Sequence, residues 1–227
     1  MKKNFKFVPN LLTSLNLFCG CLSIVFAFEN ELLTALIFII IAAIFDFFDG
    51  FAARLLDAKS AIGKELDSLS DLVSFGVAPA SMLYVASLDV WCLQCFDWIR
   101  FTPFLLVIFS SLRLAKFNVD ERQTVNFIGL PTPANALFFI SFSNLVNEID
   151  VFQNQYIIIA VILFFSALMV SEMQMFSVKK LIESKLKIIL VSILVITICV
   201  SVYLVDIYAG AVVIPVYILL SGIRGLF

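Results

Sequence analysis

Four aspartates fall within one short, mostly apolar stretch, at spacings that allow their carboxylates to bind divalent cations together. Asp46 and Asp49 are three residues apart, and Asp67 and Asp71 are four apart, with Gly63 a further four residues ahead of Asp67. On a helix, either spacing places both side chains of a pair on one face. Four carboxylates that meet at one place repel each other unless cations neutralise them. A pair of divalent ions would do so, and would also bind the oxygens of a diphosphate.

Small and basic residues accompany the first pair of aspartates. Gly50 lies four residues after Asp46, and Ala53 lies four residues after Asp49. The helix surface beside these carboxylates is therefore flat, and it could admit a planar base or a phosphate. Arg54 follows directly and supplies a fixed cation that suits phosphate oxygens.

The same residues also have a purely structural interpretation. The acids could form salt bridges with Arg54 and Lys64 that fix helix packing, and Gly50 with Ala53 could simply allow close helix approach. Ionisable groups in membrane spans are costly, and their clustering at one depth favours a functional site. A cation transporter could use such acids too, but it needs them near mid-membrane, whereas these lie beside the loop 54–64.

The composition indicates that membrane helices must position these side chains. Hydrophobic residues make up 62% of the 227 residues, and 25 of them are Phe, well above the roughly 45–50% apolar share of soluble domains. The net charge of -2 argues against a nucleic-acid partner, which would require a basic domain. The chain has no His, so a metal site must use carboxylate oxygens, which suit hard ions such as Mg²⁺ or Mn²⁺.

Apolar runs separated by polar breaks predict an all-α, polytopic membrane helical bundle. A run of roughly 20 residues crosses the hydrocarbon core, and only helices or closed barrels satisfy their backbone there. We expect a single domain, 1–227, of about eight transmembrane helices, with the fifth and the last two least secure and a six-span version as the alternative. The predicted spans lie near residues 11–28, 32–56, 66–88, 99–116, 133–148, 154–172, 186–205 and 207–223.

The distribution of basic residues predicts the orientation of the bundle. Fourteen of the 15 Lys and Arg residues fall on one side of the eight-span arrangement, and only Arg100 falls on the other. Because Lys and Arg near span ends are retained in the cytoplasm, we expect a multi-pass protein of the cell membrane with both termini and the aspartates facing the cytoplasm. Cys92 and Cys95 could form a disulfide or redox pair if their loop faces an oxidising compartment, or could simply pack.

The aspartates and their neighbours match a known signature. The pattern D-x2-D-G-x2-A-R-x8-G-x3-D-x3-D, filled from Asp46 to Asp71 without a departure, resembles that of the CDP-alcohol phosphotransferases. Four further stretches resemble the phosphatidylserine synthase branch of that family, and they extend the likeness over a catalytic part of about 9–135. These stretches are PNLLTSLNLFCG at 9–20, DLVSFGVAPA at 71–80, RLAKFN at 113–118 and FIGLPTPA at 127–134.

The resemblance implies an activity, cofactors and partners. An enzyme of this branch joins CDP-diacylglycerol to L-serine and releases phosphatidylserine and CMP. The resemblance further implies two divalent ions, Mg²⁺ or Mn²⁺, in each active site, a six-helix family core with extra spans, contact with membrane lipids, and a homodimer. Glycerol 3-phosphate or inositol phosphate is the alternative acceptor, and a scaffold without activity is disfavoured by the unbroken signature.

The resemblance also implies roles for the signature residues. Asp46, Asp49 and Asp67 would chiefly ligate the ions, while Asp71 would contact the second ion and act as general base on the serine hydroxyl. The small residues would make room for cytidine, and the arginine would hold phosphate. Asn10 and Thr13, on the neighbouring first helix, are candidate nucleotide contacts, with helix capping or hydrogen bonding between spans as the alternative. The expected CDP-lipid contacts are Asn10, Thr13, Gly50, Ala53, Arg54 and Gly63.

The acceptor pocket is predicted from the chemistry of free serine, a zwitterion. Its carboxylate needs a cation, and its ammonium needs hydrogen-bond acceptors. Arg113, at the cytoplasmic end of the fourth span, is the candidate for the carboxylate, with Lys116 and Asn118 nearby and Ser74 on the floor. Alternatively, Arg113 and Lys116 only extend to lipid headgroups.

Overall fold

The computed structural model of the protein describes residues 7–58, 60–91, 97–120, 127–175, 197 and 208–224. Within them the chain is mostly helical. The helices are α1 (Val8–Phe28), α2 (Leu32–Leu55), α3 (Ala61–Asp71), α4 (Ala78–Ala86), α5 (Leu105–Val119), α6 (Thr132–Glu148), α7 (Gln155–Val170) and α8 (Ala209–Arg224). A π-helical segment, Leu72–Val77, joins α3 to α4, and 3-10 turns span Asp97–Phe104 and Asp150–Phe152.

Four helical stretches in the described part of the chain are long and apolar enough to cross a membrane. They are Val8–Phe28, Leu32–Leu55, Ala61–Ala86 and Trp98–Val119, and they correspond to the first four predicted spans. The prediction of a helical membrane protein is therefore confirmed. The helices α6, α7 and α8 correspond to the predicted fifth, sixth and eighth spans, but at 17, 16 and 16 residues they are shorter than the roughly 20 residues of a full crossing.

Two of the sequence predictions fall on residues outside the described part. The seventh predicted span, 186–205, has a single described residue, Thr197. The loop that carries Cys92 and Cys95 is likewise outside it. Of the described cysteines, Cys19 is buried and Cys21 is exposed, and both are free thiols.

The first two helices form an antiparallel hairpin around small residues. Ala27 and Ala35 are fully buried, and the Ser23 hydroxyl donates to the carbonyl oxygen of Ala35 at 2.9 Å. Small residues allow helix backbones to approach closely where lipid supplies no hydrophobic driving force between helices. The hairpin holds the C-terminal end of α2, with its two aspartates, next to the start of α1.

A short loop then reverses the chain into α3. Asp57, just after α2, adopts a left-handed conformation with φ of 48°. The Ser60 side chain caps α3 by accepting a hydrogen bond from the Gly63 amide at 3.0 Å, which explains why α3 begins at Ala61, five residues before the predicted span. Because the loop is short, α2 and α3 run antiparallel and their acidic ends are neighbours.

The π-helical segment after α3 makes close crossings with two other helices. A Cβ at Gly20 of α1 would lie 2.9 Å from the Ser74 Cα, and a Cβ at Gly76 would lie 3.3 Å from the Ser110 Cβ of α5. Ser74, Phe75 and Gly76 are all buried. A π-helical segment changes the register of the side chains that follow it, and such segments are frequent at functional sites.

The Gly20 crossing gives a prediction for stability. Gly20→Ala should lower the free energy of unfolding by about 1–3 kcal/mol, because the added methyl group meets the backbone at Ser74. Gly50→Ala is the matched control, since in the part of the chain that the structure describes nothing lies within 4 Å of a Cβ there, and alanine is favoured over glycine in a helix by about 1 kcal/mol. Thermal unfolding in detergent should show a lower Tm for Gly20→Ala only; equal Tm values would contradict the close crossing.

The remaining helices pack around an aromatic core. Phe138 of α6 stacks on Phe165 of α7 with ring centroids 3.8 Å apart. The loop before α6 is pinned to the end of α7, because the Leu130 amide donates to the Leu168 carbonyl at 3.0 Å, and the strands β1 (Phe127–Ile128) and β2 (Gln174–Met175) pair antiparallel beside it. Gly129 has a φ of 75°, the left-handed region that favours glycine. This loop fixes where α6 begins, at Thr132.

Candidate active site

Three carboxylates from two helices meet at one point. Asp46 and Asp49 of α2 and Asp67 of α3 each offer an oxygen, and these oxygens all lie within 4.8 Å of one another. Oxygens that share one divalent ion at 2.0–2.6 Å stand at most about 4–5 Å apart. The donor set therefore fits a hard divalent cation, in its chemistry and in its spacing.

Asp71 lies next to this group, one helical turn further along α3. Its carboxyl adjoins that of Asp46, and its charge interacts with those of Asp46 and Asp67. Asp71 Oδ1 also accepts a hydrogen bond from Asn16 Nδ2 at 3.4 Å. The structure therefore brings together all four aspartates that the spacing predicted to converge.

Helix α1 supplies polar partners for these carboxylates. The Thr13 hydroxyl lies 2.5 Å from Asp49 Oδ2, to which it donates. The Ser70 hydroxyl donates to the Thr13 carbonyl at 3.1 Å and so ties α3 to α1. Thr13 and Asn16 are buried, at 3% and 0% exposure, so their hydrogen bonds hold the acids in place away from water.

A cavity of about 480 Å³ opens beside the aspartates, within the range of roughly 300–1,000 Å³ typical of small-molecule sites. Asp49 and Asp67 both lie in its wall, and a Cβ at Gly50 would meet no described atom within 4 Å. Arg54 is exposed and does not line it. The lining residues are Pro9, Asn10, Thr13, Asp49, Gly50, Ala53, Ala58, Ser60, Ala61, Gly63, Lys64 and Asp67.

Arg113 of the predicted acceptor pocket reaches the site. It is buried at 6% exposure, its charge interacts with that of Asp71, and its Nη1 donates to the Thr132 hydroxyl at 3.0 Å. Its guanidinium also lies over the Phe117 ring, 5.6 Å from the centroid. Arg113 thus points into the bundle and does not extend to the lipid headgroups.

The other predicted acceptor contacts have partners elsewhere. Lys116 pairs with Glu172 at 2.5 Å. Asn118 Nδ2 donates to the Ser68 hydroxyl at 2.8 Å. The Ser74 hydroxyl is buried and donates to the Asn16 carbonyl at 3.0 Å.

The profile of one protein family, described as CDP-alcohol phosphatidyltransferase, matches residues 6–171. This match covers the aspartate cluster, every helix that lines the cavity, and Arg113. The chain belongs to the CDP-alcohol phosphatidyltransferase family. The family predicted from the signature is thus confirmed, and the matched region runs beyond residue 135 to the end of α7.

Several curated relatives of the chain have names that include serine. CDP-diacylglycerol–serine O-phosphatidyltransferase of Mycobacterium tuberculosis is 39% identical over 144 residues, which cover 60% of this chain and 49% of that protein. The protein of the same name in Bacillus subtilis is 35% identical over 149 residues, 63% of this chain and 78% of that protein. Archaetidylserine synthase of Methanothermobacter thermautotrophicus is 40% identical over 142 residues, which cover 61% of this chain and 58% of that protein. The chain thus spans about half the length of the mycobacterial relative.

The open position at Gly50 gives a prediction for substrate binding in this family member. Gly50→Leu should leave the fold intact, because no atom of the described residues lies within 4 Å of a Cβ there. The new side chain should fill part of the cavity and raise the KM for a CDP-lipid by roughly tenfold or more, the effect of losing well-packed ligand contacts. Ala52→Leu, on the same helix but outside the cavity lining, is the control. An unchanged KM in Gly50→Leu would separate the cavity from substrate binding.

One residue of the cluster was missed by the sequence prediction. Asn16 was not proposed as a site residue, although its amide contacts Asp71. It lies three residues after Thr13, so both face the same side of α1. An amide residue at helical spacing from a predicted site residue, in a mostly apolar run, was the signal that could have identified it.

Proposed function

We propose that the protein joins CDP-diacylglycerol to L-serine, giving phosphatidylserine and CMP. The observation that carries this proposal is the convergence of Asp46, Asp49 and Asp67 beside a cavity of about 480 Å³, in a chain of the CDP-alcohol phosphatidyltransferase family. The acceptor is inferred from the relatives, several of which are named as serine phosphatidyltransferases.

The aspartates fit a site for two divalent ions, Mg²⁺ or Mn²⁺. Asp46, Asp49 and Asp67 would hold them, with Asp71 contacting the second. When bound, the ions would neutralise the diphosphate and the charge that develops on the departing phosphate of CMP. The hydrogen bond from Thr13 keeps Asp49 turned toward the other two carboxylates. The cavity lined by Asn10, Gly50, Ala53 and Gly63 would receive the cytidine end of the lipid, and exposed Arg54 would bind phosphate at its rim.

Asp71 acts as the general base in this proposal. The serine hydroxyl oxygen forms a bond to the phosphorus that carries diacylglycerol, and its proton passes to Asp71. The bond from that phosphorus to the oxygen bridging to CMP breaks, and this oxygen leaves on CMP with the electron pair. Asn16 orients Asp71 through its amide, and Arg113 lies near enough for its charge to interact with the carboxylate.

The proposal includes the arrangement of the whole chain. We place α6, α7, α8 and residues 186–205 in the membrane with the four long helices, which makes a single domain, 1–227, of about eight spans. The catalytic part is about 9–135. Both termini and the aspartates face the cytoplasm, because most Lys and Arg residues fall on that side. The protein lies in the cell membrane among its lipids and forms a homodimer, as its resemblance to the phosphatidylserine synthase branch implies.

Glycerol 3-phosphate or inositol phosphate is the alternative acceptor, because either would also require a cation such as Arg113. A transporter is disfavoured: two of the aspartates line a cavity beside the loop 54–64, at the end of the helices.

A direct assay distinguishes these acceptors. Purified protein in lipid vesicles is given CDP-diacylglycerol and Mg²⁺ or Mn²⁺, with serine, glycerol 3-phosphate or inositol phosphate, and CMP release is measured. We expect release with serine alone. Release with a phosphorylated acceptor, and not with serine, would overturn the assignment while keeping the family chemistry.

A further inference from the structure

The first turn of α6 carries two buried polar side chains that belong neither to the aspartate group nor to the cavity lining. Thr132 and Asn135 are 0% and 1% exposed, and their spacing of three places them on one face. Within the residues that the structure describes, neither amide atom of Asn135 has a hydrogen-bond partner. A buried amide without partners is costly, and native structures rarely leave one so. The amide therefore points to a ligand.

Arg113 has unused hydrogen-bonding capacity beside the same face. Its Nη1 is held by Thr132, while its Nε has no partner among the described side chains and backbone groups. We call Arg113, Thr132 and Asn135 the α5–α6 polar cluster. It combines a fixed cation, a free N–H donor on that cation, and a free amide with both donor and acceptor.

The position of the cluster relative to the aspartates matters for its role. None of its three members lines the cavity beside Asp49 and Asp67. Arg113 nevertheless lies close enough to Asp71 for their charges to interact. Asp71 therefore lies between the two groups: it adjoins Asp46, and its charge interacts with that of Arg113 in the α5–α6 polar cluster.

We propose that the α5–α6 polar cluster binds the amino-acid acceptor, with Asn135 as a specificity-determining residue. This inference rests on the proposed function. Arg113 and the Asn135 Nδ2 bind the carboxylate, and the Asn135 Oδ1 accepts a hydrogen bond from the ammonium group. Thr132 is a positioning residue that fixes the Arg113 guanidinium. A phosphorylated polyol could offer Oδ1 only a neutral hydroxyl donor, which makes a weaker hydrogen bond than a charged ammonium group does, so the amide favours an amino acid.

The cluster also revises the predicted acceptor pocket. Lys116, Asn118 and Ser74 already have partners in Glu172, Ser68 and the Asn16 carbonyl. Arg113 is the member of that predicted pocket with a buried donor, Nε, that has no partner in the described part of the chain. The residues of α6 replace the other three as the acceptor contacts.

The first test replaces Asn135 and compares two Michaelis constants. Asn135→Leu should raise the KM for serine by roughly tenfold or more, the effect of losing hydrogen bonds to charged groups, with the KM for CDP-diacylglycerol within about twofold of wild type. Asn144→Leu is the matched control, because Asn144 is buried on the same helix but donates to the Ile140 carbonyl at 2.8 Å. It should leave both constants unchanged.

The second test addresses the positioning role of Thr132. Thr132→Val removes the hydroxyl while keeping the shape, and it should raise the KM for serine. Thr132→Ser keeps the hydroxyl and should have a KM for serine close to that of the wild type. If Thr132 were needed only for packing, Thr132→Ser would raise the KM for serine more than Thr132→Val does, since valine fills the space and serine does not.

The outcomes separate this inference from the proposed function. An unchanged KM for serine in both Asn135→Leu and Thr132→Val overturns the inference alone. A wild-type protein that transfers to another acceptor and not to serine overturns the proposed function. Should Asn135→Leu not fold, stabilisation by serine decides: serine should raise the Tm of the wild type with CDP-diacylglycerol and not that of Thr132→Val, and an equal rise in both contradicts the inference.

Discussion

Replacing Asp71 by asparagine is expected to abolish transfer to serine while leaving binding of the CDP-lipid mostly intact. The amide oxygen of asparagine can still accept the hydrogen bond from Asn16 that Asp71 accepts at 3.4 Å, so the helix packing should persist. The side chain can no longer take a proton from the serine hydroxyl. The loss of a general base lowers turnover by about 10²–10⁴-fold.

Turnover and binding must be measured separately to test this. CMP release reports the chemical step, and binding of labelled CDP-diacylglycerol to vesicles reports the ground state. Glu65→Gln is the matched control, because Glu65 is an exposed carboxylate on the same helix. Wild-type turnover in Asp71→Asn would contradict the role of Asp71 as general base. Loss of CDP-lipid binding in this variant would show that Asp71 mainly serves to bind the ions.

Asp49→Asn is expected to abolish both lipid binding and turnover, unlike Asp71→Asn. Asp49 is one of the three carboxylates whose oxygens converge within 4.8 Å, and it lines the cavity. Without it the divalent ions are held poorly, and the diphosphate loses its counter-charge. Losing several kcal/mol of transition-state stabilisation corresponds to a fall in turnover of about 10³-fold or more.

Chelation of divalent ions should abolish lipid binding and turnover in the wild type, as Asp49→Asn does. Mg²⁺ or Mn²⁺ should restore activity, and Ca²⁺ should restore it poorly, because Ca²⁺ is larger and prefers more ligands at longer distances. Activity that persists in chelator would remove the ions from the mechanism. Glu65→Gln again serves as the control, and it should respond to chelation and to added ions as the wild type does.

Local periodicity explains why the aspartate cluster could be predicted from the sequence. The faces shared by Asp46 with Asp49 and by Asp67 with Asp71 follow from helical spacing. The short loop between α2 and α3 then requires the two faces to be neighbours. The four long spans could be predicted as well, because hydropathy reports the bilayer directly.

Contacts between distant parts of the chain could not be predicted in this way. The partner of Lys116 is Glu172, 56 residues away, and nothing local to Lys116 indicates it. Asn16 was missed because its contact with Asp71 joins residues 55 positions apart, and the sequence does not show which face of α1 packs there. Asn135 lies just beyond the stretch 127–134 that carried the resemblance. That its amide has no partner among the described residues is visible only once α6 is packed.

Binding of Mn²⁺ to the purified protein in lipid vesicles with CDP-diacylglycerol, counted per chain, tests the central claim most directly. The wild type should bind two ions per chain with saturation, and Asp49→Asn should lose this binding while Glu65→Gln keeps it. A fully active protein with no saturable Mn²⁺ binding, or with equal binding in Asp49→Asn, would contradict the claim that these carboxylates hold the ions that seat the diphosphate.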